Sequence, residues 1–379
     1  MKILVAIDSF KGSLTSLQAG NAVKNAILRA DKNTAVSVKP LADGGEGTAE
    51  ALAYGSNSKK VELTVKDPLL RPVKAGYTIL KDTGTAVIEM AAAGITLISQ
   101  KERNPLYTTT YGVGEMICDA IKRGCRKFII GIGGSATNDV GTGMLSALGF
   151  EFLDKNNSPV AFGAIGLKDL CTIKTENVIS ELKDCAFTVA CDVTNPLCGE
   201  NGCSAVFAPQ KGGTREMIIE MDAWIKKYSE KVREIFPKSD PEMPGAGAAG
   251  GLGFAFMSFT NSILRSGIDI VLSETGIERD IQNADIVVTG EGKLDAQTVM
   301  GKAPAGVAKL AKKYGKKVIA FSGCVAEDAE ICNNCGIDAF FPILREIVPL
   351  DDALRPDLAQ KNLEATAYQV FRLIFNCSI

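Results

Sequence analysis

The sequence of 379 residues contains no histidine. Serine–histidine and cysteine–histidine nucleophile pairs, zinc sites of the HExxH type and phosphohistidine relays are therefore excluded. Any proton transfer must use aspartate, glutamate, lysine, tyrosine or cysteine. The chain also lacks an apolar run near the roughly 20 residues that a membrane-spanning helix needs. The apolar start of the chain ends at Asp8, which indicates a buried strand rather than a signal peptide.

The charge is nearly balanced, with a formal net charge of -2 and no basic run. This argues against nucleic acid or an anionic membrane as a partner, and we expect a cytoplasmic protein. The 11 cysteines come without a sign of secretion, so we expect reduced thiols. Cys332 and Cys335 form a C-x-x-C without a second pair at zinc-ribbon spacing. Two thiols in a loop are the favoured interpretation there, over a metal or redox role.

The order of the predicted elements indicates an α/β protein. A strand over residues 2–7, a capping box at Thr15 and Gln18, an amphipathic helix and a strand over Val36–Pro40 give a β-α-β start. Short β-branched runs between Val61 and Met90 are rich in strand signals, and β-α-β alternation returns after Asp285. We predict a Rossmann-like doubly wound domain formed by residues 1–65 plus 282–379. Residues 66–281 would form an inserted α/β domain, with the active-site cleft between the two domains.

Four predicted strand ends open into loops that combine glycine with a carboxylate or a hydroxyl group. In an open α/β sheet, the carboxyl ends of the strands line the ligand crevice. Glycine lets backbone N–H groups approach phosphate oxygens, and carboxylates suit Mg²⁺. One such loop is typical of a plain tight turn, but four together indicate a phosphate and metal site. These loops are Asp8–Lys11, Asp43–Gly47, Gly133–Asp139 and Thr289–Asp295.

Two matches to motifs of other nucleotide-binding proteins are rejected because of the residues that surround them. Residues 245–250 match GxGxxG, but a polar, proline-bearing stretch precedes them where the dinucleotide fingerprint requires a strand. Gly301 and Lys302 are followed by alanine, so the sequence has no P-loop. The signature motifs of protein kinases are also missing.

The motifs resemble, in order along nearly the whole chain, those of the type I bacterial glycerate kinase family. The matching segments are Asp8–Lys11, Ala42–Thr48, Arg103–Leu106, Thr108–Gly112, Gly131–Asp139, Cys191–Leu197, Phe207–Gly212, Pro244–Gly253 and Gly290–Thr298. The resemblance implies ATP-dependent phosphorylation of D-glycerate by a two-domain α/β fold. Ile7 stands where the family usually has proline, and Phe321–Cys324 varies a late strand-end loop. Both 2- and 3-phosphoglycerate remain open as products, with the 2-phosphate favoured, and the oligomeric state is open.

Phosphoryl transfer depends mostly on positioning and charge neutralisation, with a smaller contribution from a base. Without histidine, a carboxylate must take the hydroxyl proton. We favour Asp192, which ends an apolar strand, with Asp8 as the alternative. The alternative interpretation of Asp192 is a purely structural role in a turn or as a helix cap.

Further residues of the motif loops are assigned to metal and anion binding. Asp43 and Glu46 are the first Mg²⁺ candidates, followed by Glu291 and Asp295. Lys11, Lys211 and Lys293 are the cations expected to meet the carboxylate of the substrate and the phosphates. The predicted substrate- and phosphate-binding residues are Ser9, Gly44, Gly45, Thr108, Thr109, Thr110, Gly133, Gly134, Ser135, Thr137, Asn138, Asn195, Gly290, Gly292 and Lys293.

Two other classes of protein would use similar loops. An NAD-dependent dehydrogenase of small hydroxy acids would bind a related substrate, but such enzymes usually rely on histidine, and the fingerprint lacks its strand. A non-catalytic nucleotide sensor would not need carboxylates and lysines in several loops at once.

Overall fold

The computed structural model describes residues 1–90 and 94–377. Within these residues, no helix combines the length and apolar character needed to cross a membrane. The chain forms two compact units. The terminal unit comprises Met1–Asp43, Glu50–Tyr54 and the described part of Ile268–Ile379, and the central unit comprises Gly44–Ala49 and the described part of Gly55–Gly267.

The described residues form thirteen strands and twelve α-helices. The strands are β1 (Lys2–Val5), β2 (Ala35–Val38), β3 (Ser58–Lys66), β4 (Pro72–Leu80), β5 (Thr85–Glu89), β6 (Lys127–Gly131), β7 (Glu151–Leu153), β8 (Thr172–Lys174), β9 (Ala186–Ala190), β10 (Ser262–Arg265), β11 (Ile286–Leu294), β12 (Lys317–Val325) and β13 (Ala339–Pro342). The helices are α1 (Ser16–Ala30), α2 (Thr48–Ala53), α3 (Tyr111–Lys122), α4 (Thr142–Ala147), α5 (Cys203–Phe207), α6 (Arg215–Ile235), α7 (Ala248–Phe259), α8 (Gly267–Glu274), α9 (Ile277–Asn283), α10 (Ala303–Lys313), α11 (Leu350–Ala353) and α12 (Pro356–Asn376).

The terminal unit is built on a five-stranded sheet in the order β13-β12-β11-β1-β2, and all its neighbouring strands run parallel. If only the strands of this unit are counted, the order is 2-1-3-4-5. This is one of the two common doubly wound orders, and it differs from the Rossmann order of dinucleotide-binding domains. The predicted α/β class is confirmed, whereas the Rossmann-like detail is not. In the observed order, the direction of winding reverses between β1 and β11.

Helices α1 and α12 pack against each other and share a core with β1 and β11. The sequence encodes the start of α1 locally, because Thr15 and Gln18 form the predicted capping box with both of its hydrogen bonds. Ile3 and Val5 point into this core because alternate residues of a strand share one face. Helices α9 and α10 contact β1, β11 and β12.

The central unit is built on a six-stranded sheet in the order β10-β9-β6-β5-β4-β3. The strands from β10 to β5 are parallel, while β4 pairs antiparallel with both β5 and β3. The predicted strands between Val61 and Met90 are therefore confirmed as β3, β4 and β5. A separate antiparallel pair, β7 and β8, lies outside this sheet.

The two compact units divide the chain at other residues than the predicted domains. Strand β3 pairs along its whole length with β4, so residues 58–65 belong with the central sheet. Residues 268–281, which include α8 except for its first residue, belong to the terminal unit. The predicted domain ranges also contain positions 91–93 and 378–379, which lie outside the described residues.

One predicted loop is part of a strand. The sequence indicated that the strand beginning near Asp285 ends before Gly290, but β11 continues to Leu294 and pairs with β12 through Val325. Gly290 allows this continuation, because a Cβ atom there would collide with the carbonyl oxygen of Phe321. The glycines were interpreted as loop residues, although close pairing of two strands requires glycine equally well.

Two left-handed segments cross in the central unit. Val140 has φ 47° and Ala249 has φ 53°, values that are uncommon for residues with a side chain. The N–H of Val140 donates to the carbonyl oxygen of Gly250 at 3.0 Å. A Cβ atom on Gly251 would lie 2.6 Å from a methyl carbon of Val140, so only glycine fits there. The same crossing explains residues 245–250, which follow α6 and a turn, so the GxGxxG match is not a dinucleotide fingerprint.

We predict that Phe187→Ala lowers the free energy of unfolding by about 3–5 kcal/mol. Phe187 is buried, with its ring centroid 4.7 Å from that of Phe128 and 5.6 Å from that of Phe256. The substitution leaves a cavity between two aromatic rings. Denaturant-induced unfolding measures the loss, with Ile219→Ala, at a residue 64% exposed, as the control in the same unit. Equal effects of the two substitutions would contradict this account of the core.

Candidate active site

Three carboxylates collect at the carboxyl edge of the terminal sheet. Asp8 follows β1, Asp43 follows β2, and Glu291 lies in the last half of β11. Because β2, β1 and β11 are parallel neighbours, their carboxyl ends meet at one edge. We call Asp8, Asp43 and Glu291 the carboxylate cluster. It lies beside the reversal of strand order, where open α/β sheets bind ligands.

The charge of this cluster affects the proton affinity of Asp8. Burial and then the negative charge of Asp43 raise the pKa of Asp8 to about 7, with a smaller contribution from Glu291. The hydrogen bond from the Ser9 N–H, 2.7 Å long, and the charge of Lys11 act in the opposite direction. Lys11 donates to Asp43 at 2.9 Å, but its side chain is 74% exposed, so this ion pair contributes little to stability. The cluster therefore carries more negative charge than its own lysine neutralises.

Glu291 is held by a second group of residues. The Thr298 hydroxyl donates to the Glu291 carboxylate at 2.6 Å and accepts from the Asp295 N–H at 3.2 Å. Lys302 Nζ lies 3.8 Å from a carboxylate oxygen of both Glu291 and Asp295. Burial raises the pKa of Glu291 against the effect of the Thr298 bond. Thr298 and Lys302 were not among the predicted site residues, although Thr298 lies in the Gly290–Thr298 motif and Lys302 in the rejected P-loop match.

The other predicted residues of the terminal unit lie around these carboxylates. Gly290 and Gly292 flank Glu291 in β11, and a Cβ atom on Gly292 would lie 3.5 Å from the backbone of Lys11. Lys293 is exposed, with its Nζ 3.4 Å from Asp295. Ser9 stays close to Asp8 through its N–H. Their predicted contacts with substrate or phosphate remain predictions.

In the central unit, the glycine loop after Asp43 passes over the ends of β6 and β9. A Cβ atom on Gly44 would lie 2.6 Å from Ala190 Cβ and 2.9 Å from Gly267 Cα. A Cβ atom on Gly131 would collide with the Gly44 carbonyl oxygen. Gly44 also has φ 87°, so close packing and backbone conformation together explain why residue 44 is a glycine. Its predicted role in phosphate binding remains open, as does that of Gly45.

Asp192 follows β9, as predicted, and its carboxylate accepts from the Gly267 N–H at 2.9 Å. Gly267 is the first residue of α8, so Asp192 acts as a helix cap. This bond lets Asp192 serve as a cap and leaves its predicted role as a base untested. Asn195 donates to the carbonyl oxygen of Asn201 at 2.9 Å. Glu46 is exposed on the glycine loop.

Lys211 lies buried in the central unit, where its Nζ donates to Ser135 Oγ at 2.8 Å and to the Thr137 carbonyl oxygen at 2.7 Å. Ser135 belongs to the loop that follows β6. Burial lowers the pKa of Lys211 to about 8, while Cys203 and Asp139 act in the opposite direction. The ammonium group therefore holds the loop after β6 from inside the unit.

Asp139 is a buried carboxylate that the sequence analysis quoted in a motif but did not assign to the site. It accepts from the N–H groups of Thr110 at 2.8 Å and of Gly141 and Gly143 at 3.2 Å. The Thr110 and Thr109 hydroxyls donate to it at 3.0 and 3.3 Å. Burial raises the pKa of Asp139, and these donors act in the opposite direction. Asp139 thereby joins the threonine segment before α3 to the start of α4.

The threonine segment is buried and already bonded inside the unit. The Thr108 hydroxyl donates to the Ala136 carbonyl oxygen at 2.8 Å, and Thr109 and Thr110 bind Asp139. The predicted contact of these hydroxyls with substrate would need an exchange of these bonds, and it stays a prediction. Asn138 donates to Ser204 Oγ at 2.8 Å. Its carbonyl oxygen and the Thr137 hydroxyl are buried without a partner among the described residues.

The protein is an α/β protein whose carboxylate cluster lies at the reversal of strand order, at the carboxyl edge of a parallel sheet where open α/β sheets usually bind ligands. A family model described as the glycerate kinase family matches residues 3–375. The chain belongs to the glycerate kinase family, and the predicted resemblance is confirmed.

Individual relatives agree with this assignment over nearly their full length. The chain is 43% identical to the glycerate kinase of Haemophilus influenzae over 375 residues, which cover 99% of each chain. It is 42% identical to the glycerate 2-kinase of Escherichia coli, with 97% of this chain and 98% of that protein covered. A crystal structure attributed to glycerate kinase 2 of Salmonella typhimurium LT2 matches with a TM-score of 0.89 at 41% identity, covering 99% and 98% of the two chains. The alternative of a hydroxy-acid dehydrogenase finds no support in these comparisons.

We predict that Asp8→Asn makes the protein more stable at pH 8 than the unchanged chain, and that the difference vanishes near pH 4. Asp8 binds its proton more tightly in the folded protein, with a pKa of about 7, than at the ordinary value of 3.8. As pH rises from 4 to 7, the unfolded chain releases this proton first, so the contribution of Asp8 to the free energy of unfolding falls. The gain at pH 8 should be on the order of a few kcal/mol.

Denaturant-induced unfolding without added divalent cations, measured at both pH values, tests this effect. Asp328→Asn, at an exposed position of the same unit, is the control. A gain of equal size at pH 4 and pH 8 would show that the proton affinity of Asp8 is not its cause.

Proposed function

We propose that this protein is an ATP-dependent kinase that phosphorylates D-glycerate. The observation that carries the proposal is the carboxylate cluster at the strand-order reversal of the terminal unit, in a chain whose relatives are named glycerate kinases. Transfer of the γ-phosphoryl group needs a base for the acceptor hydroxyl and positive charge for the phosphates. The chain offers carboxylates for the first task, and lysines and loop N–H groups for the second.

The ATP co-substrate implies Mg²⁺, and the carboxylate cluster is a chemically suitable place for it. Burial raises the pKa of Asp8, repulsion by Asp43 and Glu291 adds to this effect, and a divalent cation would relieve the repulsion. No group of three or more cysteine, aspartate or glutamate residues in the described chain could hold a metal ion by itself. This agrees with the usual binding of Mg²⁺ through one or two carboxylates, substrate phosphates and water. Asp43 and Glu291 are our candidate ligands, with Asp295 and Glu46 as further candidates, and the bound ion would neutralise phosphate charge.

For the base, we propose Asp8 ahead of Asp192, which reverses the order favoured by the sequence. A base works best when its pKa lies near the working pH. Asp8 is buried at the end of a central strand, so its carboxylate is held rigidly, and its pKa is about 7. Asp192 is exposed and already accepts the N–H at the start of α8. Asp8 is therefore better suited to remove a proton from the acceptor hydroxyl.

Anion binding is assigned to the loop after β6 and to the exposed lysines. Gly133 and Gly134 are exposed, so their N–H groups are candidates for donation to phosphate or carboxylate oxygens. Lys11 and Lys293 are exposed cations near the carboxylate cluster, and they suit the phosphates. We further propose 2-phosphoglycerate as the product, because the Escherichia coli relative is named a glycerate 2-kinase.

We predict that the protein, incubated with Mg-ATP and D-glycerate, releases ADP and forms 2-phosphoglycerate. Phosphorus-coupled NMR of the product identifies the phosphorylated hydroxyl, and a panel of other small hydroxy acids measures selectivity. Chelation of Mg²⁺ should abolish turnover, since the ion neutralises phosphate charge. Formation of 3-phosphoglycerate would contradict the regiochemistry alone, whereas no turnover with any hydroxy acid would contradict the kinase assignment.

We predict that Asp8→Asn lowers kcat by about 10²–10⁴-fold, the usual contribution of a general base. Asp192→Asn should lower kcat by less than tenfold, because an amide oxygen can still accept the Gly267 N–H. Steady-state kinetics at saturating Mg-ATP and D-glycerate compare the two variants, with Asp328→Asn as the control. The opposite order of effects would identify Asp192 as the base.

A further inference from the structure

We propose that Lys211 is a positioning residue that orients the Ser135 hydroxyl as a hydrogen-bond donor to an anionic oxygen of the ligand. Lys211 would act through Ser135 and would not itself touch the ligand. The inference rests on the proposed function and deepens it, because it names a specific donor for an oxyanion in the central unit.

The direction of the hydrogen bond carries the argument. A lysine ammonium group has three N–H donors and no acceptor, so Ser135 Oγ must accept in its 2.8 Å contact with Lys211. The hydroxyl proton of Ser135 is then free to donate elsewhere. No further hydrogen bond joins the Ser135 side chain to residues 1–90 or 94–377. A hydroxyl held in this way can donate only to a group outside these described residues, such as an anion or water.

The position of Lys211 supports an indirect role. The residue is 2% exposed, whereas Gly133 and Gly134, directly before Ser135, are exposed. Gly134 has φ 76°, and a Cβ atom there would meet no atom within 4 Å, so space is open on that side of the loop. A ligand oxygen that approaches the loop reaches Ser135 before it reaches the ammonium group.

The surroundings of Lys211 fix its charge and its geometry. Its second bond, to the Thr137 carbonyl oxygen, anchors the loop on both sides of Ala136. The charged and titratable groups that face it are Asp139 from the same loop and Cys203 from α5, and both favour its protonated form. Among the described residues, no carboxylate forms an ion pair with Lys211. Part of its positive charge therefore remains available to polarise the Ser135 hydroxyl, which makes it a better donor.

The same geometry predicts a loss of donation at high pH. Burial lowers the pKa of Lys211 to about 8. Above this value the neutral amine gains a lone pair and can accept the Ser135 proton, so the hydroxyl is no longer forced outward. The affinity for the anionic ligand should then fall. A hydrogen bond that involves a charged group contributes enough to give about a tenfold change in affinity.

Two ligands could supply the anionic oxygen, namely the triphosphate of ATP and the carboxylate of glycerate. Separate measurements of KM for Mg-ATP and for D-glycerate, each at a saturating level of the other, distinguish these sources. Calorimetric binding of Mg-ADP and of D-glycerate gives the same comparison without turnover.

The experiment measures both KM values between pH 6.5 and 9.5 for the unchanged protein and for Ser135→Ala, Lys211→Met and the double variant. We expect one of the two KM values to rise about tenfold through an ionisation near pH 8 in the unchanged protein. This ionisation should be missing in both single variants. Since the two residues act as a unit, the double variant should bind no more weakly than the weaker single variant. Lys227→Met, at an exposed lysine of α6, is the control.

The inference is overturned if both KM values are flat through pH 8 in the unchanged protein, or if Ser135→Ala keeps the full pH dependence. Multiplicative effects in the double variant would also overturn it, because they would mean that Lys211 meets the ligand directly. Ser135→Ala and the unchanged protein decide the outcome even if Lys211→Met does not fold. Absence of turnover with every hydroxy acid would instead contradict the proposed function, while calorimetry with Mg-ADP would still test the orientation of Ser135.

Discussion

Burying a charged side chain costs free energy, and both units of this protein bury such side chains. Asp8, Asp139 and Lys211 are each almost completely buried. Each needs hydrogen-bonding or charged partners that offset the free-energy cost of removing its charge from water. Asp139 has five donors from the chain, so its role is accounted for by the fold. Asp8 receives one backbone N–H and faces two other carboxylates, and Lys211 has only neutral acceptors. The last two are the buried charges that the fold leaves undercompensated, which is typical of functional sites.

Because the chain has no histidine, these undercompensated buried charges are its candidates for proton transfer near neutral pH. A group that titrates near neutral pH must here come from a carboxylate made less acidic or from a lysine made less basic. Burial moves the pKa of Asp8 up to about 7 and that of Lys211 down to about 8. Both units thus contain a side chain whose protonation responds to pH near neutrality, although neither side chain does so in water.

Local sequence patterns predicted the elements well, because their causes are local. The capping box at Thr15, the alternating strands β3 to β5 and the apolar strand before Gly131 each depend on residues close in sequence. Three of the four motif loops were also placed correctly after strands, namely those that begin at Asp8, Asp43 and Gly133. The extension of β11 was missed because Gly290 and Gly292 have the composition of a loop, and only the approach of β12 explains them.

The contacts within the site could not be predicted, since they join distant residues. Lys211 and Ser135 are 76 positions apart, and nothing in either motif indicates that one side chain would be buried against the other. Asp139 looked like one more loop carboxylate, and its five donors come from two separate segments. Thr298 and Lys302 reach Glu291 only because β11 continues past the glycines.

The crossing of the left-handed segments at Val140 and Gly250 affects the order in which the protein folds. These residues are separated by about half of the central unit, including α4 to α6 and the three strands β7, β8 and β9. Contacts of such separation must wait for long loops to close, and they slow folding. The loop that carries Ser135 and Asp139 can reach its final conformation only when α7 has arrived. During synthesis, the chain must therefore emerge past Gly251 before this loop can fold. In a nascent chain that is stopped earlier, the loop would not reach its final conformation.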